Sequence, residues 1–90
     1  MEVTQRVREK IERDFAEDGS AEEVARLVAA AGDSERVQAA IVLAASGRRH
    51  DLHDAVALAQ LDWRDLLVNV GLANEDWPMK LDSLLGPTTD

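Results

Sequence analysis

Four residues near the middle of the chain carry side chains that could bind a metal ion. His50, Asp51, His53 and Asp54 supply imidazole and carboxylate groups, which are ligands for zinc and other divalent cations. If a helix begins just after Asp51, His53 lies on it and His50 in the loop before it, so the spacing does not preset a ligand pair. The sequence has two histidines and no cysteine, so a third ligand would have to be a carboxylate. We expect a solvated loop with a capping aspartate; the alternative is a weak divalent-metal site at His50 and His53.

Residues suited to nucleophilic or acid–base catalysis are explained by helix ends. Acid–base catalysis requires a carboxylate or histidine whose pKa is shifted by its surroundings, and the acids of this chain occupy predicted caps and polar helix faces. Ser20, Ser34 and Ser46 also lie at helix ends, outside any nucleophile elbow or glycine-rich phosphate loop. We therefore predict no catalytic residue, no cofactor and no enzyme activity.

A nucleic-acid-binding domain is an alternative, because residues 20–46 predict two helices joined by a short turn, as in a helix-turn-helix motif. The second of these helices offers Gln38 and almost nothing else to read a base edge. Arg36, Arg48 and Arg49 are few phosphate ligands for a chain whose net charge is −8. The pattern disfavours nucleic acid as a partner.

The negative charge is concentrated in the second half of the chain. Residues 1–50 carry ten acids and eight bases, which gives −2, whereas residues 51–90 carry eight acids and two bases, which gives −6. Such a surface attracts basic partners and repels nucleic acid and anionic membranes. The longest apolar run, Ala39–Ala45, is far shorter than the roughly 20 residues that span a bilayer, and the charged N-terminus lacks a signal-peptide core. We predict a cytoplasmic protein without membrane partners.

Elimination leaves an interaction role, in which this chain is a small acidic, non-enzymatic protein-interaction module. Trp63 and Trp77 stand at predicted helix starts, and tryptophan is enriched at the centres of binding interfaces. Together with Asp65 and Asp82 they are candidate contacts to an unidentified protein partner, and the acidic surface favours a basic one. Because the chain contains so few aromatic residues, we expect the tryptophans to serve the core. Monomer and homodimer both remain open.

These residues must be positioned by helices, because no strand pattern is present. From Val37 to Ala45 the only polar residue is Gln38, and a helix that is apolar on nearly every side is surrounded by neighbours. We predict an all-α fold, a compact orthogonal bundle of five to six short helices around a central helix at about residues 35–46. Residues 1–87 form a single domain, and residues 88–90 a frayed tail.

Local signals predict where the first helices begin and end. The first, at residues 3–17, has an apolar stripe with four-residue spacing and an i,i+4 pair between Glu2 and Arg6, and it stops at Asp18-Gly19. The stripe consists of Val3, Val7, Ile11 and Phe15. Ser20 and Glu23 predict a capping box for the second helix.

Similar signals mark the later helices. Gly32 predicts a left-handed stop, and Asp33 or Ser34 caps the central helix. Asp51 and Asp62 are predicted to cap the starts of the next two helices, and Gly71 to end the second of them with a hydrophobic contact from Leu72. Pro78 is predicted in the first turn of a last helix that excludes Trp77.

Two runs, RVQAAI at residues 36–41 and DWRDLL at residues 62–67, resemble the sequences of small, uncharacterised helical bacterial proteins of actinobacterial type. The resemblance covers about residues 34–85. It implies a compact helical domain, and it implies no activity, cofactor or catalytic residue.

Overall fold

The computed structural model describes residues 2–16 and 20–86 and contains five α-helices in these ranges, with no strand among them. The helices are α1 (Gln5–Asp14), α2 (Ala21–Ala31), α3 (Glu35–Ala45), α4 (Arg49–Val70) and α5 (Trp77–Leu85). The predicted all-α bundle of five to six short helices is confirmed. The tail at residues 88–90 lies outside the described residues. No helix in the described part of the chain is long and apolar enough to cross a bilayer.

Helix α3 lies at the centre of the bundle, as its composition predicts. It contacts α1, α2, α4 and α5, and Ala39, Ala40, Ile41 and Val42 are fully buried. The alanines allow neighbouring helices to approach the α3 backbone closely, and Ile41 and Val42 add larger buried aliphatic side chains. The burial of α3 on several sides therefore follows from a sequence with almost no polar face.

Helix α1 packs its predicted stripe into the core but ends earlier than expected. Val7, Ile11 and Phe15 are buried, and Val3 is half-buried before the helix begins. The helix ends at Asp14, where Phe15 leaves helical geometry and donates its amide to the carbonyl of Ile11. This turn puts the Phe15 ring, 1% exposed, into the core. The predicted stop at Asp18-Gly19 lies outside the described residues.

Helix α4 is broken at Asp62, so the predicted helix start at this residue is confirmed. The backbone of Asp62 is extended, with φ −156° and ψ 90°, and its carboxylate accepts a hydrogen bond of 3.2 Å from the amide of Arg64. The predicted cap at Asp51 is wrong. The helix begins at Arg49, three residues before the expected start at Leu52, and Asp51 lies in its first turn, where its carboxylate is 2.9 Å from the Arg48 guanidinium.

Two further predicted caps are confirmed. The hydroxyl of Ser34 accepts a hydrogen bond from the amide of Val37, so Ser34 rather than Asp33 caps α3. Gly71 ends α4 with a positive φ of 78°, and the amide of Leu72 donates to the carbonyl of Leu67 over 2.8 Å. Leu72 is fully buried, which completes the hydrophobic contact that accompanies such a helix end.

Gly32 ends α2, but not in the predicted left-handed conformation. Its φ is −111° and its ψ is 124°, which is extended backbone that any residue adopts. Glycine is required here for space, because a Cβ atom on Gly32 would lie 2.6 Å from the Cγ of Gln38. The connector therefore packs directly against the first turns of α3.

The predicted capping box of α2 is also wrong. Ser20 precedes the helix, but its hydroxyl makes no capping hydrogen bond within the described residues of that helix. The carboxylate of Glu23 instead lies 3.0 Å from the guanidinium of Arg49, which links α2 to the start of α4. Glu23 thus makes a contact between two helices, to Arg49, instead of the predicted capping contact within α2.

Helix α5 begins at Trp77, one residue earlier than the sequence suggests. Pro78 lies in its first turn, as predicted, where a missing amide proton costs little. Leu81 and Leu85 are buried, while Leu84 is 47% exposed. The helix thus buries one face and leaves the other in solvent.

The central position of α3 can be tested by truncating Ile41. Because this side chain is fully buried, Ile41→Ala should lower the free energy of unfolding by about 2–5 kcal/mol. Leu61→Ala is the matched control, since Leu61 is 85% exposed, and its effect should stay within about 0.5 kcal/mol. Denaturant unfolding of the three proteins measures both values, and an equally small loss for both variants would contradict a buried α3.

Candidate functional site

The most extensive polar network in the described part of the chain surrounds the guanidinium of Arg6. Its Nε and Nη2 atoms donate to the two carboxylate oxygens of Glu35 at 2.9 and 2.6 Å. Its Nη1 atom donates to Asp82 at 2.6 Å and to the carbonyl of Gly86 at 3.0 Å. The hydroxyl of Thr4 donates to Glu35 at 2.6 Å. The network therefore joins the beginning of α1, the first turn of α3 and the end of α5.

The Arg6–Glu35 pair holds two opposite charges rather than a mobile proton. The pKa of Arg6 is raised above its usual value, mainly by its hydrogen bond to Glu35 and against the effect of burial, with Asp82 adding to the increase. The pKa of Glu35 is lowered, mainly by the hydrogen bond from Arg6 and against burial, with Thr4 contributing further. Both groups are ionised at neutral pH. An acid–base catalyst needs a pKa near the working pH, so this pair serves the structure.

The sequence predicts Arg6 on the charged face of α1, paired with Glu2, and this prediction is wrong. Arg6 is 6% exposed and turns to Glu35 and Asp82. The sequence gives a weak indication that Arg6 lies near the buried face of α1, because it is adjacent to Val7 and three residues after Val3, at the edge of the apolar stripe. Its partners lie 29 and 76 positions away, so local spacing does not identify them.

Two of the four predicted partner contacts are engaged within the fold. The carboxylate of Asp82 binds Arg6, although its side chain is 58% exposed. Trp77 is half-buried and packs against the core, and the guanidinium of Arg36 lies 5.0 Å from its ring centroid while donating to the carbonyl of Leu72 at 2.8 Å. Trp77 therefore belongs largely to the core, as expected, and neutralising Asp82 would disturb the fold.

The other two predicted contacts, Trp63 and Asp65, face solvent. Trp63 is 46% exposed, so the expectation of a core role is wrong for this residue. The guanidinium of Arg64 lies 5.4 Å from the Trp63 ring centroid. Asp65 is exposed, and Leu61, on the other side of the break at Asp62, is 85% exposed. Two large apolar side chains thus project at the break in α4.

Trp63 forms one wall of a shallow groove, which we call the kink groove. Its volume is about 240 Å³, and it is lined by Ala31, Asp33, Ser34, Val37, Ala59 and Trp63. The end of α2, the connector to α3, the start of α3 and the middle of α4 all contribute to it. The lining offers one carboxylate, Asp33, and the hydroxyl of Ser34, which already accepts the capping hydrogen bond from Val37. This composition suits the binding of an apolar side chain and lacks paired catalytic groups.

The structure brings His50 together with Asp51 and Asp54 rather than with His53. One potential ligand atom from each of these three residues lies within 4.8 Å of the others, and His50 Nε2 is 3.6 Å from Asp54 Oδ2. His50 and Asp54 are exposed, and Asp51 is paired with Arg48. All three lie in the first turns of α4, where the helix dipole repels cations. The arrangement is more typical of a solvated helix start than of a metal site.

The nucleic-acid alternative would use α3 as a recognition helix, and the geometry places α3 inside the bundle. Gln38 is fully buried and donates from its amide to the carbonyl of Gly32 at 3.1 Å. Arg36 lies over Trp77, while Arg48 and Arg49 bind Asp51 and Glu23. A base-reading role for α3 would require the core to open.

Comparison with known proteins finds no matching family model, no matching curated protein and no matching solved structure. The resemblance to small actinobacterial proteins therefore stays a prediction.

The Arg6–Glu35 pair predicts a specific dependence of stability on pH. Glu35→Gln should cost about 2 kcal/mol at pH 7, because it weakens charge-assisted hydrogen bonds. The pKa of Glu35 is lowered from its ordinary value of 4.5 in the folded state, so the unfolded chain takes up the proton first as pH falls. The contribution of Glu35 is therefore present above about pH 4.5 and is lost as pH falls through the lower, folded pKa.

Urea unfolding between pH 7 and pH 3 measures this effect as the difference between the wild type and Glu35→Gln. Glu12→Gln removes one exposed carboxylate from α1 and is the matched control. A difference for Glu35→Gln that stays constant or grows as the solution is acidified would contradict the pairing.

For the cluster at the start of α4 we expect no metal binding. Zinc in moderate excess should leave the melting temperature unchanged, because a ligand that binds the native state must raise it. The opposite result would be a saturable rise that His50→Ala abolishes and His53→Ala does not, as the positions of the two imidazoles require. Differential scanning fluorimetry with and without zinc distinguishes these outcomes.

Proposed function

We propose that this protein is a small, acidic, non-enzymatic protein-interaction module of the cytoplasm. The observation that carries the proposal is the exposure of Leu61 and Trp63, 85% and 46%, on either side of the break in α4. A domain of 90 residues has limited apolar surface with which to stabilise itself. Two large apolar side chains left in solvent, one of which (Trp63) lines the kink groove, suggest a surface that is covered by another molecule.

The chemistry of these residues supports the proposal. Tryptophan combines a large apolar area with few rotatable bonds, and it dominates many interfaces when a partner covers it. The apolar lining residues Ala31, Val37 and Ala59 give a partner side chain an apolar surface on which it can be shielded from water. The surrounding acids keep the free protein soluble.

The non-enzymatic part of the proposal is supported by how the polar groups are used. Arg6 and Glu35, whose pKa values are shifted, hold helices together. The kink groove contains a single carboxylate, that of Asp33, whereas acid–base mechanisms usually need two groups of opposite role.

The proposal predicts that a partner is captured through Trp63. The immobilised protein should retain a specific partner from a lysate of the source organism, and Trp63→Ala should abolish its retention. Met79→Ala is the matched control, because Met79 is 75% exposed on α5, and it should retain the partner. Mass measurement under non-denaturing conditions then gives the composition of the complex.

Two results would oppose this function. Equal capture of the partner by the wild type and Trp63→Ala would show that the partner does not bind through Trp63. Retardation of duplex DNA at low salt, lost when Arg48 and Arg49 are replaced, would favour the nucleic-acid alternative, because phosphate contacts then carry the affinity. The melting temperature of Trp63→Ala should stay close to that of the wild type, which separates loss of binding from loss of folding.

A further inference from the structure

We propose that the kink groove binds a basic, amphipathic segment of the partner protein, whose apolar side chain enters the groove and whose lysine or arginine residues meet the acids around it. This inference rests on the proposed function and adds the location of the site and the chemistry of its occupant. It is carried by the volume, the lining and the charge of the groove.

The volume of the groove indicates a side chain as its occupant. Pockets for drug-sized molecules have about 300–1,000 Å³, and the kink groove has about 240 Å³ and is open to solvent. It therefore accommodates one or two apolar side chains presented by a longer chain. Trp63 and the small residues Ala31 and Ala59 provide a wall and a floor against which an aliphatic or aromatic side chain can pack.

The charge around the groove indicates that the segment is basic. Asp33 is part of the lining, Asp62 directly precedes Trp63, and Asp65 follows two residues later; all three are exposed. Asp62 uses one oxygen to cap the second part of α4. The nearby Arg64 has its guanidinium over the Trp63 ring. Complementary charges around an apolar anchor accelerate association and exclude acidic competitors.

The same charges argue against other occupants. A second copy of this chain would bring a net charge of −8 against −8, and a two-fold contact through the groove would place Asp33 near its own copy. Nucleic acid and anionic lipid are repelled for the same reason. An amphipathic helix with an apolar face and basic flanks fits a groove whose lining is mostly apolar and contains the carboxylate of Asp33, with two further exposed acids next to Trp63 in the sequence.

The test uses the full chain and displayed random peptides of about 12 residues, or three helical turns. Selection on the wild type should enrich peptides that carry lysine or arginine beside an aliphatic or aromatic residue. A synthetic peptide of the enriched sequence is then measured for association and dissociation rates against each variant. Trp63→Ala should raise the dissociation constant tenfold or more, chiefly through faster dissociation, because it removes the apolar wall.

A matched pair of charge variants tests the role of the acids. The double variant Asp33→Asn, Asp62→Asn retains a side-chain oxygen that can cap α4, and it should slow association about fivefold at low salt with little effect on dissociation. The control is the double variant Glu9→Gln, Glu12→Gln, which removes the same charge from the exposed face of α1. It should leave the association rate nearly unchanged.

Several outcomes would overturn the inference. These are the enrichment of no peptide, enrichment without a basic preference, equal effects of the two charge variants, and binding that is insensitive to Trp63→Ala. A homodimer under non-denaturing conditions that Trp63→Ala dissociates would assign the groove to a second copy. If a cellular partner depends on Trp63 but is not basic, the proposed function stands and this inference fails. If basic peptides bind but no cellular protein does, the preference of the groove stands and the proposed function fails.

Discussion

The guanidinium of Arg6 joins three parts of the chain that are far apart in sequence. Its two bonds to Glu35 fix α1 against the start of α3, and its bonds to Asp82 and Gly86 fix the end of α5 against α1. A buried arginine is costly unless its donors are matched. Any arrangement that moved α1, α3 or α5 would leave this charge without its partners, so the network favours the observed arrangement of these helices.

The apolar core depends on that choice of packing. Ile41 and Val42 of α3 are surrounded by side chains from the other helices, and aliphatic side chains pack well in more than one relative orientation. Helix α5 illustrates the point, because it buries Leu81 and Leu85 with only nine residues. The bond between Asp82 and Arg6 adds a polar contact between α5 and α1.

Features set by neighbouring residues could be predicted from the sequence. The surrounded helix α3 follows from its composition, and the caps at Ser34, Asp62 and Gly71 follow from side chains or φ angles that act within one turn. Contacts between distant segments could not be predicted. Glu23 gives up a local capping role for Arg49, and Gly32 is needed because Gln38 packs against it.

The candidate site was predicted only in part for the same reason. Trp63 was singled out by its residue type, but its exposure and its groove depend on residues from α2, α3 and α4 that meet only in the folded chain. Asp82 was singled out by its charge, which the fold uses to bind Arg6. His50 finds Asp54 rather than His53 because the helix begins earlier than expected. In each case the residue type points to the side chain of interest, whereas the groups that it contacts are determined by the fold.

The break at Asp62 explains why Trp63 is exposed although its spacing suggests a core residue. Leu52, Ala55 and Ala59 are buried on one face of α4, and in an uninterrupted helix Trp63, four residues after Ala59, would continue that face. The extended backbone of Asp62 changes the direction of the chain before Trp63. Leu66 then resumes packing against the core at 1% exposure, while the indole remains at the surface beside the groove. A single capping aspartate therefore converts the middle of an apolar stripe into the wall of a binding surface.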